Sequence, residues 1–128
     1  MRAAHSVTGR LAAGLRKDQL TGSQLGVLEV LLHRGPLHQN VIARKLLMSG
    51  GNVTMVIDHL ERRGLVERLR DETDRRFITV ELTGEGRDLI RRVFAKHAKR
   101  IAREFSILNS SELTALSRIC RKLGKQEQ

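Results

Sequence analysis

"RDETDRRFITVELTGEG", Arg70 to Gly86, sets two kinds of chain side by side. Six of the seven residues from Arg70 to Arg76 are charged. "FITVEL" (77–82) then gathers aromatic and β-branched residues, the composition of a strand. Just upstream, "LVERL" (65–69) also reads as a strand, so the charged segment is expected to be the tip of a hairpin. Asp74 stands beside Arg75 and two residues before Arg76, where it can orient one guanidinium through a bidentate pair. Arginine suits that task because its fork is planar and its charge permanent. Alone, such a tip is an ordinary solvated turn. The residues before it give it a second meaning.

"LHQNVIARKLL" (37–47) reads as a short helix with Val41, Ile42 and Leu46 inward. Ser49 can cap the next helix, "GNVTMVIDHLERR" (51–63), which Gly64 ends. A tight turn around residues 48–51 joins the two as a helix-turn-helix. At about 100° per residue, Val53, Val56, Ile57 and Leu60 share one side, which is core. The opposite side carries Gly51, Thr54, Met55, Asp58 and Arg62, flanked by Asn52 and His59. A major groove admits one helix, and short polar groups, arginine and apolar contacts to thymine methyls read its base edges. Gly50 and Gly51 let backbone approach a phosphate at the helix start, where the open N–H groups favour an anion. The charged hairpin beside this pair is then a wing, able to enter a minor groove whose narrow A·T stretches attract arginine. The candidate DNA contacts are Ser49, Gly51, Asn52, Thr54, Met55, His59 and Arg62 on the helix, and Arg70, Asp74, Arg75 and Arg76 on the tip.

Composition points the same way. The 128 residues fit one domain, and the net charge of +10 asks for a polyanionic partner. Aromatics are 2%, with no Trp or Tyr, which argues for duplex DNA over single strands, whose bases stack on aromatic rings. No apolar run approaches the ~20 residues of a membrane span. Cys120 is the sole cysteine, so no internal disulfide forms, as in a reducing cytoplasm. The first 17 residues hold Arg2, Arg10, Arg16 and Lys17 and no acid, as a transit peptide does, but Val7, Leu11 and Leu15 recur at helical spacing. Among His5, His33, His38, His59 and His97 no pair has the i, i+4 spacing of a helical metal site. Neither metal nor cofactor is expected. With no Ser–His–Asp pattern and no phosphate-binding loop, no catalytic residue is expected either.

The flanks read as helices. One spans about residues 3–17, and the next is capped by Thr21 or Ser23 and stopped by Gly35 and Pro36. A long one runs from Thr83 to about Phe105, with the stripe Ile90, Phe94, His97, Ile101, Phe105. Its seven Arg and Lys against three acids read either as phosphate contacts or as a solvated face behind that stripe. A last helix, capped by Asn109 or Ser110, turns Leu113, Leu116, Ile119 and Leu123 inward with Cys120 on the inner flank. The fold class is mainly α with a small β-hairpin wing: a winged helix-turn-helix flanked by dimerisation helices.

The order and spacing of Leu20-Thr21 with Gln24, Ala43 and Leu46, Asn52-Val53-Thr54, Leu60-Glu61, Gly64-Leu65-Val66, Arg68, Asp74-Arg75-Arg76, Leu82-Thr83 and Gly86 resemble the winged-helix core of the MarR family of bacterial transcription regulators. The resemblance covers about residues 20–87 and implies a DNA-binding lobe there, with residues 1–19 and 88–128 as dimerisation segments. It implies that the fourth helix enters the major groove and the wing arginine the minor groove. It also implies a homodimeric repressor on a palindromic operator, released by a small phenolic or anionic effector. Only about 20 residues precede Leu20-Thr21, fewer than the family usually carries. The alternative class is a basic architectural protein that coats duplex DNA without one operator. Sequence dependence of binding separates the two.

Overall fold

The computed structural model describes residues 2–125, with side chains from Ser6 to Lys125, so the His5 side chain lies outside that range. The elements run α1 (Arg2–Arg16), α2 (Gly22–Arg34), β1 (Leu37–His38), α3 (Gln39–Lys45), α4 (Gly50–Arg62), β2 (Val66–Arg70), β3 (Ile78–Leu82), α5 (Gly84–Glu104) and α6 (Ser110–Gly124). Local chemistry sets most of these boundaries. Thr21, not Ser23, caps α2: its Oγ1 accepts the Gln24 N–H at 3.1 Å while the Gln24 carboxamide accepts the Thr21 N–H at 3.0 Å. Asn109 and Glu112 repeat that reciprocal pair at α6, and Ser49 and Thr83 cap α4 and α5 singly. Gly35, at φ 78°, ends α2 in a conformation that other residues rarely adopt.

The wing is more than a hairpin. The sheet has three strands in the order β1-β3-β2, all antiparallel. Leu37 pairs with Val80 and His38 with Thr79, so α3 starts at Gln39 instead of Leu37. Two residues are too few for a period-2 pattern, which is why β1 escapes a reading of the sequence. The His38 ring sits 5.1 Å from that of Phe77, and its Nδ1 lies 3.2 Å from Thr79 Oγ1. The segment before α3 is thereby fastened to β3, the central strand of the sheet.

The core lies between α2, α3, α4, the sheet and the first half of α5. Val53, Val56, Ile57 and Leu60 are buried from α4, as their spacing requires, and meet Leu28, Leu31, Ile42, Val80 and Ile90. Where α5 leaves the hairpin it passes close to Leu65: the Thr83 N–H donates to the Leu65 carbonyl at 3.1 Å, and a Cβ at Gly86 would run into that same carbonyl. Along α5, Ile90 and Val93 are buried, Phe94 and His97 partly so, and Ile101 is exposed. The stripe thus starts in the core and emerges from it.

One expectation is not met within a single chain. None of the residues of α6 is buried, and Ile119 and Leu123 keep 45% and 59% of their surface. Cys120 is exposed as well. Among the described residues the core cluster holds no residue of α6, and Leu113, Ile119 and Leu123 keep much of their surface in water. By contrast α1 and the turn after it are held against α5: Arg10 donates twice to the Glu104 carboxylate, at 2.7 and 2.6 Å, and Lys96 pairs with Asp18 of the turn at 3.4 Å. No helix among the described residues is long and apolar enough to cross a membrane.

Candidate nucleic-acid interface

α4 divides along its length. With the core side turned inward, Gly51, Asn52, Thr54, Met55, His59 and Arg62 all lie exposed. Met55, an apolar side chain with 55% of its surface in water, stands out on this face. Ser49 spends its hydroxyl on the cap, accepting the Asn52 N–H at 3.1 Å. A Cβ at Gly50 or Gly51 would meet nothing within 4 Å, so no neighbour inside the chain requires glycine there. What the two glycines leave open is the outside of the helix start, the side an approaching phosphate would use.

Two members of the reading face are partly committed. Thr54 Oγ1 donates to the Gly50 carbonyl and accepts from Gln39 Nε2, each at 2.8 Å. Asp58 is half-buried and accepts from Arg68 Nη1 at 2.6 Å. Its carboxylate is therefore neutralised before any base comes near, and the α4 face presents Asn52, Met55, His59 and Arg62 as its uncommitted chemistry.

The wing tip is ordered by two aspartates. Asp71 Oδ1 accepts the Thr73 N–H at 2.8 Å, the Thr73 hydroxyl at 2.6 Å and the Asp74 N–H at 3.3 Å. The Asp71 N–H donates to the Phe77 carbonyl and the Phe77 N–H to the Asp74 carbonyl, each at 3.1 Å, which closes the turn. Asp74 then grips Arg76 from both sides of its fork: Nε donates to Oδ1 at 3.0 Å and Nη2 to Oδ2 at 2.7 Å. Of the two arginines that Asp74 could orient, it takes Arg76. The Arg76 guanidinium, with its backbone N–H, holds the Asp74 carboxyl below the usual carboxylate range. Asp71 is likewise held low, by the Thr73 hydroxyl first and then by the backbone N–H groups. Arg70 folds back on the tip, its Nη1 donating to the Arg75 carbonyl at 3.2 Å, and Arg75 itself is exposed.

Helix and wing share a wall. Gln39 and Asn40 of α3, Gly50, Val53 and Thr54 of α4, and Arg76, Phe77 and Ile78 of the wing line one groove of about 450 Å³. The wing arginine and the start of α4 therefore border the same space. Arg68 also joins them, a role its sequence position hides. It follows the buried Val66 by two residues, so it faces inward where strand alternation asks for an apolar side chain. That inward-facing charge is the signal that could have flagged it. Among the described residues no group of His, Cys, Asp or Glu could hold a metal ion.

A sequence model described as "MarR family" matches residues 18–76. The chain is 36% identical over 127 residues to the HTH-type transcriptional regulator YkoM of Bacillus subtilis, covering 99% of this chain and 82% of that one. It is 30% identical to MhqR of the same organism, also an HTH-type transcriptional regulator, over 96% of this chain and 85% of the relative. Among solved structures, Bordetella bronchiseptica BpsR, whose DNA binding is regulated by 6-hydroxynicotinic acid, superposes with a TM-score of 0.83. It is 25% identical, and the match covers 96% of each chain.

Proposed function

The chain belongs to the MarR family of winged helix-turn-helix transcription regulators, and from that premise we propose that it reads one duplex operator through α4 and the Arg76 wing. The observation that carries this reading is the exposed face of α4 beside a forked, pre-oriented Arg76 on one groove. In this reading the bound species is a homodimer on a palindromic site in the cytoplasm, and it acts as a repressor. Support for the dimer comes from the uncovered apolar side of α6, since one helix and one wing span only half a site. A small phenolic or anionic effector releases it, as the regulation of BpsR by a hydroxynicotinic acid suggests.

Binding-site selection on the purified protein, followed by titration of the selected duplex and of its scrambled version, tests this. A selected palindrome bound at least about a thousandfold more tightly than the scramble is the expected result. Equal affinity for both would make the protein an architectural binder instead.

A further inference from the structure

We propose that Arg68 is a positioning residue that fixes the angle between the reading helix and the wing, so that major-groove and minor-groove contacts are made as one unit. The proposal rests on the reading of α4 and Arg76 as DNA contacts.

Arg68 leaves β2 and reaches three separate places. Its Nε donates to Gln39 Oε1 at 3.2 Å, at the first residue of α3. Its Nη1 donates to Asp58 Oδ1 at 2.6 Å and to Glu61 Oε1 at 3.2 Å, and its Nη2 to the Thr54 carbonyl at 3.1 Å. Thr54, Asp58 and Glu61 stand at successive turns of α4, so the guanidinium runs along the helix instead of touching it at one point. Glu61 closes the loop through Oε2, which accepts the backbone N–H of Arg68 itself at 3.2 Å. The Gln39 carboxamide extends the circuit, donating to Thr54 Oγ1 at 2.8 Å. Strand, reading helix and preceding helix are thereby tied by one side chain. A planar fork with five N–H groups spread over three nitrogens suits this, whereas a lysine ammonium carries its three N–H groups on one atom and cannot span partners on two helices in the same fixed geometry.

The link matters because of where β2 leads. Arg68 pairs in register with Val80, Arg70 with Ile78, and the tip carrying Asp74 and Arg76 follows at once. A rotation of β2 on α4 would be carried straight to Arg76. The side chain of Arg68 is 18% exposed, whereas Asp58 and Glu61 keep 42% and 43%, so water can solvate both carboxylates when the arginine is replaced. The lobe should therefore fold without it.

The test is a double-mutant cycle on DNA affinity with Arg68→Met and Arg76→Ala, two residues with no contact between them. On the selected site, Arg76→Ala should weaken the parent by about tenfold but the Arg68→Met protein by less than about threefold, because an unaligned wing has little left to lose. Arg68→Lys should behave like Arg68→Met, and Asp58→Ala, which keeps the arginine and removes the acceptor of its shortest bond, should reduce the coupling as well. A general loss of stability would lower affinity in both backgrounds equally and leave the two effects additive. Additive effects, or full rescue by lysine, would overturn the proposal while leaving the DNA reading in place. If Arg76→Ala has no effect even in the parent, the wing reads nothing, and both readings fall together.

Discussion

His97 sits on α5 with its Nδ1 buried, Arg100 nearby and Glu29 on the neighbouring α2. Burial, and then the charge of Arg100, disfavours its imidazolium, and Glu29 offsets only part of this. Its affinity for a proton is therefore lower in the fold than the ordinary value near ~6.5 of an unfolded chain. As pH falls, the unfolded chain takes up this proton first, so the contribution is intact above about pH 6.5 and is lost as pH drops towards the depressed value. Thermal melts between about pH 7.5 and about pH 5.5 should show a larger fall for the parent than for His97→Gln. Equal falls would mean that His97 is solvated in the fold. Gly86 makes a different demand. A Cβ there would meet the Leu65 carbonyl, which is backbone and cannot rotate away. Gly86→Ala should destabilise by roughly 3 kcal/mol or more, read as a lowered denaturant midpoint, because α5 must move off the root of the wing. A melt like the parent's would mean that this approach relaxes freely.

At the level of elements, wing and reading helix should fail differently. Arg76→Ala removes a contact that depends on groove width, so it should weaken related sites by similar factors, with a bias against A·T-rich flanks. Asp74→Ala leaves the arginine present but unaligned and should give the same pattern in weaker form. Asn52→Ala or Met55→Ala should cost roughly 1–3 kcal/mol at a few positions and flatten preference there. Site selection on each variant is the measurement, with melts as the control for folding. An Arg76→Ala protein that selects and binds like the parent would reduce the wing to a solvated turn. The helices and hairpin were legible in the sequence because their causes are local: Thr21 with Gln24, Asn109 with Glu112, and the 3.6-residue spacing of Val53, Val56, Ile57 and Leu60. That Asp74 orients one arginine of the tip was legible for the same reason, its reach being one or two residues, while the choice of Arg76 is made by the fold. For Arg68 the alternation of β2 marks an inward-facing charge, but its partners were not legible, because they stand 7 to 29 residues away in sequence. β1 stayed hidden because its pairing with β3 is a matter of tertiary structure.

The whole molecule carries a net charge of +10 and an apolar helix side that its own fold leaves bare. Light scattering at micromolar concentration should give twice 14.5 kDa, and Ile119→Asp should shift the population towards the single chain. A parent that stays at 14.5 kDa would remove the palindromic site along with the dimer. The log–log slope of DNA affinity against salt should be near ~0.9 per neutralised phosphate, so a dimer contacting about eight would lose several decades from low to moderate salt. A flat response would assign the charge to something other than duplex DNA. The bare side of α6 also has a consequence for dosage. If pairing precedes DNA binding, then below the pairing constant the reading-competent species grows with the square of the number of chains in the cell. Halving synthesis would cut operator occupancy about fourfold there, and only about twofold once pairs dominate. An uncovered row of leucine and isoleucine would then make the regulator a threshold counter of its own copies.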